Sequence, residues 1–358
     1  MDKHASLEMI AALSDAYGAP GFEDEVLQVI RQYGAGLGAF QEDTMRNLYL
    51  ERQENRGTGL RVQLDAHMDE VGFMVQAIRP NGTLRFVPLG GWVPANIPAH
   101  RVRVQTADGS YIPGVVASKP PHFMGEAERN QAPAVEDMSI DVGSCSRAET
   151  MDVFHVRIGA PVVPDVSFTY EAEHDLMIGK AFDCRLGCAA ILQTLRLLAG
   201  RPLNADVTAA FSTQEEMGTR GATVTANRVK PDLAIVFEGC PADDTFSEPY
   251  MIQTALHKGP MLRHLDKRMI THPRFQRFAL DLAAELGIPV QESVRTGGST
   301  NGAPIHLSNA GVPAIVVGIP VRYIHTHYGL AAYGDVMNAA RLAAAILERV
   351  DEGLYSRF

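Results

Sequence analysis

Leu64-Asp65-Ala66-His67-Met68-Asp69-Glu70 follows a predicted β-strand, and the organisation of the whole chain can be worked out from it. The preceding residues, Leu60-Arg61-Val62-Gln63-Leu64, alternate between apolar and polar, as half-buried strands do. Side chains two apart on a strand point the same way, so His67 and Asp69 are expected to project together from its carboxyl end. This pairing suits a metal ligand with a carboxylate that orients it. On its own, the segment is more simply explained as a polar surface turn.

Composition limits the class of protein and its partners. The chain has 358 residues, 46% hydrophobic and 21% charged, which is typical of a soluble globular protein with two domains. A net charge of −10 without a basic patch argues against nucleic-acid or anionic-membrane partners. Four cysteines in so long a chain fit reduced thiols rather than a disulfide framework. The sequence has neither a signal-peptide core nor a bilayer-spanning apolar run, so we expect a cytoplasmic protein.

The order of the predicted elements indicates an α/β fold with an insertion. Helical periodicity over about 6–36 precedes strands at 47–50 and 60–64. Between 73 and 164, short alternating runs broken by Gly, Pro and Asn predict a small β-barrel or sandwich. Strands and helices alternate again over 165–358, which predicts a mostly parallel sheet covered by helices on both faces. We therefore expect an α/β domain built from 1–72 and 165–358, and an inserted β-barrel domain, 73–164.

Further candidate ligands accompany the elements of the second half. This half has predicted helices at 184–198, 274–286 and 335–350 and predicted strands at 206–211, 233–237, 289–292 and 312–319. Asp183 precedes the first helix, where it would serve as an N-cap. Glu215 and Glu216 follow one strand, Glu238 another and His325 the last. Each is explained individually by a structural role, but the carboxyl ends of parallel strands share one sheet edge, where ligands collect.

The residue types at this edge favour a pair of divalent cations. The candidate metal ligands, with Asp183 bridging the two ions, are His67, Asp183, Glu216, Glu238 and His325. Their carboxylates and a bridging hydroxide would balance two dications, and imidazole with carboxylate suits zinc, cobalt or manganese. Two such ions polarise a carbonyl and activate a shared water. Glu215, adjacent in sequence to a ligand but facing otherwise, is the candidate general base.

These motifs resemble those of the co-catalytic metallo-aminopeptidases that form tetrahedral dodecamers, the glutamyl- or deblocking-aminopeptidase type. The similarity runs almost end to end in family order, through Asp65-Ala66-His67-Met68-Asp69-Glu70-Val71-Gly72, Gly179-Lys180-Ala181-Phe182-Asp183-Cys184-Arg185-Leu186-Gly187, Gln214-Glu215-Glu216-Met217-Gly218-Thr219-Arg220-Gly221, Glu238, Gly297-Gly298-Ser299-Thr300-Asn301 and Arg322-Tyr323-Ile324-His325. The resemblance implies the same five metal ligands, Glu215 as general base and Asp69 as the group that orients His67.

The resemblance also implies an architecture and an assembly. Its members combine an α/β catalytic domain with an inserted β-barrel domain used in subunit assembly, which fits 73–164. They cleave the N-terminal residue from short peptides inside a hollow particle, so a homododecamer is expected here. Three positions depart from the family pattern, which has Asp at the fourth ligand, Asp or Asn after the bridging Asp, and Asp in the Gly-Gly-Ser-Thr loop. This chain has Glu238, Cys184 and Asn301 there.

Other functions remain to be weighed against a di-metal aminopeptidase. An N-acyl amino acid or amide hydrolase would use the same metals with a different pocket. A glucanase, a label some relatives carry, would need a carboxylate pair flanking a sugar bond, whereas these acids are assigned to metals. An inactive binding or assembly subunit would need neither Glu215 nor the ligands.

The loop 297–300 lacks the Gly-Lys-Ser/Thr of a phosphate loop. Basic candidates for a pocket that favours acidic residues are Lys258, Arg295 and Arg322.

Overall fold

The strand that ends at His67 belongs to a mixed β-sheet. A computed structural model describes residues 2–57, 59–129, 131 and 133–358 of the chain. The strands in this part of the chain are β1 (Gly38–Glu42), β2 (Leu48–Arg52), β3 (Leu60–His67), β4 (Gly72–Ile78), β5 (Leu84–Leu89), β6 (Arg101–Gln105), β7 (Tyr111–Val116), β8 (Ile140–Asp141), β9 (Pro161–Pro164), β10 (Thr169–Glu171), β11 (Leu176–Gly179), β12 (Ala205–Ser212), β13 (Leu233–Pro241), β14 (Met261–Leu265), β15 (Gln291–Val294), β16 (Ala314–Val321) and β17 (Gly329–Ala332). The α-helices are α1 (Lys3–Asp15), α2 (Asp24–Tyr33), α3 (Glu126–Arg129), α4 (Arg147–Asp152), α5 (Phe182–Leu197), α6 (Arg220–Val229), α7 (Pro273–Leu286), α8 (Gly302–His306), α9 (Tyr333–Arg349) and α10 (Glu352–Tyr355).

The main sheet is parallel at its centre. Eight of the described strands form it, in the order β1-β2-β12-β3-β13-β16-β14-β15. The neighbours β12, β3, β13 and β16 pair in parallel, whereas β2 joins β12 and β14 joins β16 in antiparallel pairs. The predicted fold class, a mostly parallel α/β sheet, is confirmed. The sheet extends beyond the prediction because β1 and β14 were not expected.

Strand register brings the predicted site residues to one level of the sheet. Ser212 on β12 is paired with His67 on β3, and Val236 on β13 with Asp65. Glu238 lies two residues beyond Val236, just as His67 lies two beyond Asp65, so the two side chains leave neighbouring strands at the same level. Both strands run further than predicted, and Glu238 therefore lies inside β13 rather than after it.

Helices cover both faces of this sheet. Along β13, Leu233, Ile235 and Phe237 belong to the large core that includes α1, α5 and α9. Ala234 and Val236 face the opposite way, into a smaller core with α6 and α8. This alternation over a continuously apolar run is what a strand buried on both faces requires.

The inserted segment forms a closed barrel. Six of the described strands close it in the order β4-β5-β8-β7-β6-β9, and they lie between Gly72 and Pro164. Its core is separate from that of the main sheet and includes Phe73, Phe86 and Val102. A barrel, one of the two predicted architectures, is therefore present, while the division of the chain into domains 1–72 with 165–358 and 73–164 stays a prediction.

Further elements were not predicted from the sequence. A small sheet, β10-β11-β17, lies outside the main one. The predicted strand 289–292 begins later, as β15 at Gln291.

All four cysteines have free thiols, as expected. Across the described ranges, no helix has the length and apolar character needed to cross a membrane.

Candidate metal centre

The predicted metal ligands converge at the carboxyl edge of the main sheet. His67 Nε2 lies 3.1 Å from Asp183 Oδ1 and 3.2 Å from Glu238 Oε1. His325 Nε2 lies 3.3 Å from Asp183 Oδ2 and 3.6 Å from Glu216 Oε1. One oxygen of Asp183 therefore faces each histidine, which is the arrangement that a shared ligand needs.

The bridging candidate Asp183 lies in an extended turn at the start of α5. Its backbone is non-helical, with φ −88° and ψ 106°, and its peptide bond to Cys184 is cis. A Cβ at Gly239 on β13 would lie 2.6 Å from the Asp183 Cα, so only glycine permits this close approach. The predicted N-cap role is wrong, because the Asp183 carboxylate lies against the two histidines rather than against the first backbone N–H groups of the helix.

The acids of this centre are arranged as a cation would require. Burial raises the pKa of Glu216 and of Glu238 well above the ordinary value, and the charge of Asp183 adds to the effect. Among the described residues, Glu216 Oε1 and Glu238 Oε2 are buried oxygens without a hydrogen-bond donor. Buried acceptors that lack donors are unfavourable unless a cation compensates them. The residues present therefore fit a bound metal ion.

The two histidines respond to the same negative charge. Burial lowers the pKa of His67, but hydrogen bonds to Asp183, Asp69 and Glu238 outweigh it and hold that pKa well above the ordinary value. Burial also lowers the pKa of His325, but Asp183 and Glu216 outweigh this effect and raise that pKa to about 10. Divalent cations would supply the positive charge that protons otherwise provide.

Each histidine has a backbone acceptor at its outer nitrogen. His67 Nδ1 is 3.0 Å from the Asp69 carbonyl oxygen, and His325 Nδ1 is 2.9 Å from the Gly91 carbonyl oxygen. These contacts leave Nε2 of each ring directed at the carboxylates. The Asp69 carboxylate, which we expected to orient His67, lies 3.4 Å from Nδ1, and this role stays a prediction.

The Asp69 carboxylate also holds the turn that carries Glu215 and Glu216. It accepts the backbone N–H of Glu215 at 2.9 Å and of Glu216 at 3.0 Å. The preceding N–H, of Gln214, is donated to Glu23 Oε1 at 3.1 Å. Three consecutive N–H groups are therefore bound by two buried carboxyl groups. The sequence analysis did not predict this role for Glu23, because an acid at a helix start and an acid that binds a neighbouring turn look alike in sequence.

Glu215, the candidate general base, lies beside the histidine of β3. Its Oε2 is 4.0 Å from His67 Nε2, and its side chain is 12% exposed. Burial raises its pKa to about 7, with Asp183 and Asp69 as further causes. A carboxyl group with a pKa near neutrality is suited to proton transfer.

A cavity of about 490 Å³ opens beside these residues. The candidate ligands Asp183, Glu216, Glu238 and His325 form part of its lining, together with Glu215. Two arginines, Arg263 and Arg295, line it as well, and so does the loop 296–299. Arg295 was a predicted pocket residue, whereas Arg263 was not.

The other predicted basic residues lie elsewhere. Arg322 binds the Asp244 carboxylate through Nε at 2.9 Å and Nη2 at 2.7 Å. Neither Arg322 nor Lys258 belongs to the described lining of the cavity.

Two of the three departures from the family pattern have a local explanation. Cys184 is buried, and its thiol donates to the Phe237 carbonyl oxygen at 3.3 Å, although it also lies within 4.8 Å of ligand atoms of His67 and Glu238. Asn301 is buried too, away from the cavity, and its amide donates to Asp65 Oδ1 at 2.8 Å and to Ser212 Oγ at 2.6 Å. An Asp at this position would set two carboxylates against each other.

Comparison with known proteins gives consistent matches. The family model described as M42 glutamyl aminopeptidase matches residues 47–342. A glutamyl aminopeptidase of Lactococcus lactis is 33% identical over 342 residues, which are 95% of this chain and 95% of that protein.

Solved structures agree with the sequence matches. The crystal structure of a TET aminopeptidase from a marine sediment archaeon, Thaumarchaeota archaeon SCGC AB-539-E09, has a TM-score of 0.94 and 34% identity, covering 99% of each chain. The TET1 peptidase of Pyrococcus horikoshii, described as able to assemble into a tetrahedron or a large octahedral shell, has a TM-score of 0.87 and 25% identity. The match covers 96% of this chain and all of that one.

Proposed function

This chain belongs to the M42 glutamyl aminopeptidase family and is an aminopeptidase, and we propose that it removes the N-terminal residue of short peptides with two divalent metal ions. The observation that carries this proposal is the Asp183 carboxylate between two histidines. It belongs to two groups of possible ligand atoms, one with His67 and Glu238 and the other with Glu216 and His325. Two sets that share one carboxylate support a pair of neighbouring ions rather than a single one.

The proposed mechanism assigns roles to the side chains at the cavity. The ions would be held by His67, Asp183, Glu216, Glu238 and His325, and when bound they supply Lewis acidity to the scissile carbonyl and the attacking water. Glu215 takes a proton from that water and returns it to the leaving amine. Asp69 keeps Glu215 in place through its backbone N–H. Imidazole with carboxylate ligands favours zinc or cobalt, with manganese as the third candidate.

We propose a preference for an acidic N-terminal residue. Arg263 and Arg295 line the cavity beside the ligands, and Nε of Arg263 is a buried donor with no acceptor among the described residues. Burial lowers the pKa of Arg263, but Cys240, Glu238 and Asp266 outweigh this and hold it above the ordinary value, so the guanidinium stays charged. A substrate carboxylate would supply the missing acceptor. The relative from Lactococcus lactis carries the name glutamyl aminopeptidase, which supports this preference.

We also propose that the chain works as a homo-oligomer in the cytoplasm. The tetrahedral assembly described for the Pyrococcus horikoshii peptidase supports a homododecamer in which the barrel domain joins subunits. Free thiols at all four cysteines support a reducing compartment. Light scattering on the purified protein would test the assembly, with a mass of twelve 38.9-kDa chains as the expected result.

Hydrolysis of aminoacyl-p-nitroanilides tests the proposed reaction. Metal-stripped protein is resupplied with zinc, cobalt or manganese and assayed on free-amine substrates and their N-acetylated forms, alongside Glu215→Gln. We expect metal-dependent release from free-amine substrates only, with a loss of about 100- to 10,000-fold in the variant. Cleavage of acetylated substrates would instead identify an N-acyl hydrolase. Two bound ions without turnover would identify an inactive binding or assembly subunit.

A further inference from the structure

The loop Gly90-Gly91-Trp92 reaches from the barrel to the metal ligands of the α/β domain. It follows barrel strand β5 directly and contacts both His325 and Glu216. We infer that this loop is a positioning element for one of the two metal ions, the one assigned to Asp183, Glu216 and His325. The inference rests on the proposed metal centre and adds a role for the barrel in the chemistry itself.

The first support is the outer partner of His325. Its Nδ1 is 2.9 Å from the Gly91 carbonyl oxygen, which fixes the proton on Nδ1 and leaves Nε2 free to face Asp183 and Glu216. The same task at His67 is done by Asp69, two residues along the same segment. His325 instead relies on a residue 234 positions away in the chain. Its own segment is a surface turn with a left-handed backbone at φ 58°, and its side chain is 37% exposed.

The second support is the contact between the loop backbone and the ligands. A Cβ at Gly91 would lie 3.0 Å from His325 Nδ1. A Cβ at Gly90 would lie 2.9 Å from Glu216 Oε2 and 2.7 Å from Val71 Cγ1, and Gly90 has a φ of 83°. Two consecutive residues without side chains thus allow the main chain to pack directly on two ligands of the same set.

The third support is the attachment of the loop to the barrel. The Trp92 ring stacks on Phe73 with centroids 4.8 Å apart, and Phe73 is part of the barrel core. Trp92 Nε1 also donates to the Gly72 carbonyl oxygen at 3.1 Å. The position of the Gly91 carbonyl, and with it the His325 ring, is therefore set by how the barrel sits against the main sheet.

Metal titration of two glycine variants tests this inference. Zinc is titrated calorimetrically into metal-stripped protein, and bound zinc is counted by mass spectrometry, for Gly91→Ala and Gly90→Ala. Outer partners of metal-bound histidines contribute about 10- to 100-fold to affinity, so we expect one of two zinc affinities to fall by that factor and the other to stay unchanged. The matched controls are Gly125→Ala, and Gly109→Ala at a φ of 88°, because a Cβ at either position meets no atom of the described residues within 4 Å. Both controls should bind zinc as the unmodified protein does.

A His325→Ala variant separates failure of the inference from failure of the proposed centre. If His325→Ala loses one ion while both loop variants bind two ions with unchanged affinity, the positioning role of the loop is overturned and the centre stands. If His325→Ala also binds two ions unchanged, the proposed centre itself is wrong. Melting temperatures measured on the same samples show whether a weaker zinc affinity reflects the site or a loss of the folded state.

Discussion

The Asp69 carboxylate accepts the backbone N–H of Glu215 at 2.9 Å, which ties the candidate general base to the strand end that carries His67. Its second oxygen accepts the next N–H, of Glu216, at 3.0 Å. Asp69 is completely buried, so both bonds are shielded from water and the turn has little freedom to move. Asp69 therefore links the base and a ligand of one proposed ion through its carboxylate, and a ligand of the other ion through its backbone carbonyl oxygen.

Replacing this carboxylate should impair catalysis more than substrate binding. In Asp69→Asn, an amide NH₂ would face a backbone N–H, so one of the two bonds is lost. A hydrogen bond to a charged group contributes roughly 1.5–3 kcal/mol, and we expect kcat to fall by about 10- to 100-fold with KM nearly unchanged. Steady-state kinetics on the preferred p-nitroanilide measures both constants.

Asp335→Asn is the matched control for this variant. The Asp335 carboxylate is also buried and also accepts two backbone N–H groups, from His257 and Gly259, both at 2.8 Å, but it lies on α9 outside the cavity. The control should lower the melting temperature without changing kcat. Equal losses of kcat in the two variants would mean that Asp69 has a purely structural role.

Glu23 should make stability depend on pH. Burial raises its pKa from 4.5 to about 8, and the charge of Asp69 adds to this. The folded state thus holds a proton that the unfolded chain releases, so the contribution to stability is full below about pH 4.5 and is lost as pH rises towards 8. Glu23→Gln has no such proton. We expect the melting temperature of the unmodified protein, relative to the variant, to fall between pH 5 and pH 8.5.

The exposed acid of the same helix turn provides the comparison. Glu25→Gln makes the same substitution at an exposed position, where the carboxylate accepts the Tyr17 N–H. Its melting curve should follow that of the unmodified protein across the same pH range. If the melting temperatures of Glu23→Gln and the unmodified protein differ by the same amount at every pH, Glu23 is not a buried, protonated acid.

Apolar patterns along single strands and helices predicted most of the fold, and they also predicted that the candidate ligands lie close together. The apolar runs of β12, β13 and β16 identify buried parallel strands, and acids or histidines after such runs must share an edge. By contrast, β14 has only five residues, two of them polar, and it pairs with β15 and β16, which follow it in the chain after intervening helices. Its place in the sheet depends on tertiary pairing, which local propensity does not encode.

The contacts around the candidate ligands were beyond the reach of sequence patterns for a different reason. Gly91 acts through its carbonyl oxygen, which every residue has, so no residue type marks it. Glu23 resembles any acid at a helix start, and Arg263 resembles any polar residue on a short strand. The N-cap assigned to Asp183 failed because a tertiary contact with two histidines outweighs a local preference.

Restoring the family residue at position 301 should destabilise this protein. Asn301 donates to the buried Asp65 carboxylate at 2.8 Å, so Asn301→Asp removes a donor and places a second acid beside the first. When a buried charged group loses its partner, the free energy of unfolding falls by about 3 kcal/mol or more, so we expect a clearly lower melting temperature. Asn81→Asp, at an exposed position where the side-chain oxygen accepts from Thr83, is the control and should melt normally. Normal stability in Asn301→Asp would show that Asp65 has other compensation.

Arg263 and Arg322 should differ in their effect on substrate choice, although both are partly or fully buried arginines paired with acids. Arg263 lines the cavity with an unpaired Nε, whereas Arg322 uses Nε and Nη2 to bind Asp244 outside it. In Arg263→Met, the loss of a charged hydrogen bond should reduce kcat/KM for glutamyl-p-nitroanilide about 10- to 100-fold relative to the leucyl substrate. Arg322→Met should leave that ratio unchanged. If both variants shift the ratio equally, the acidic preference arises from the overall charge of this region, and the proposed contact with Arg263 is wrong.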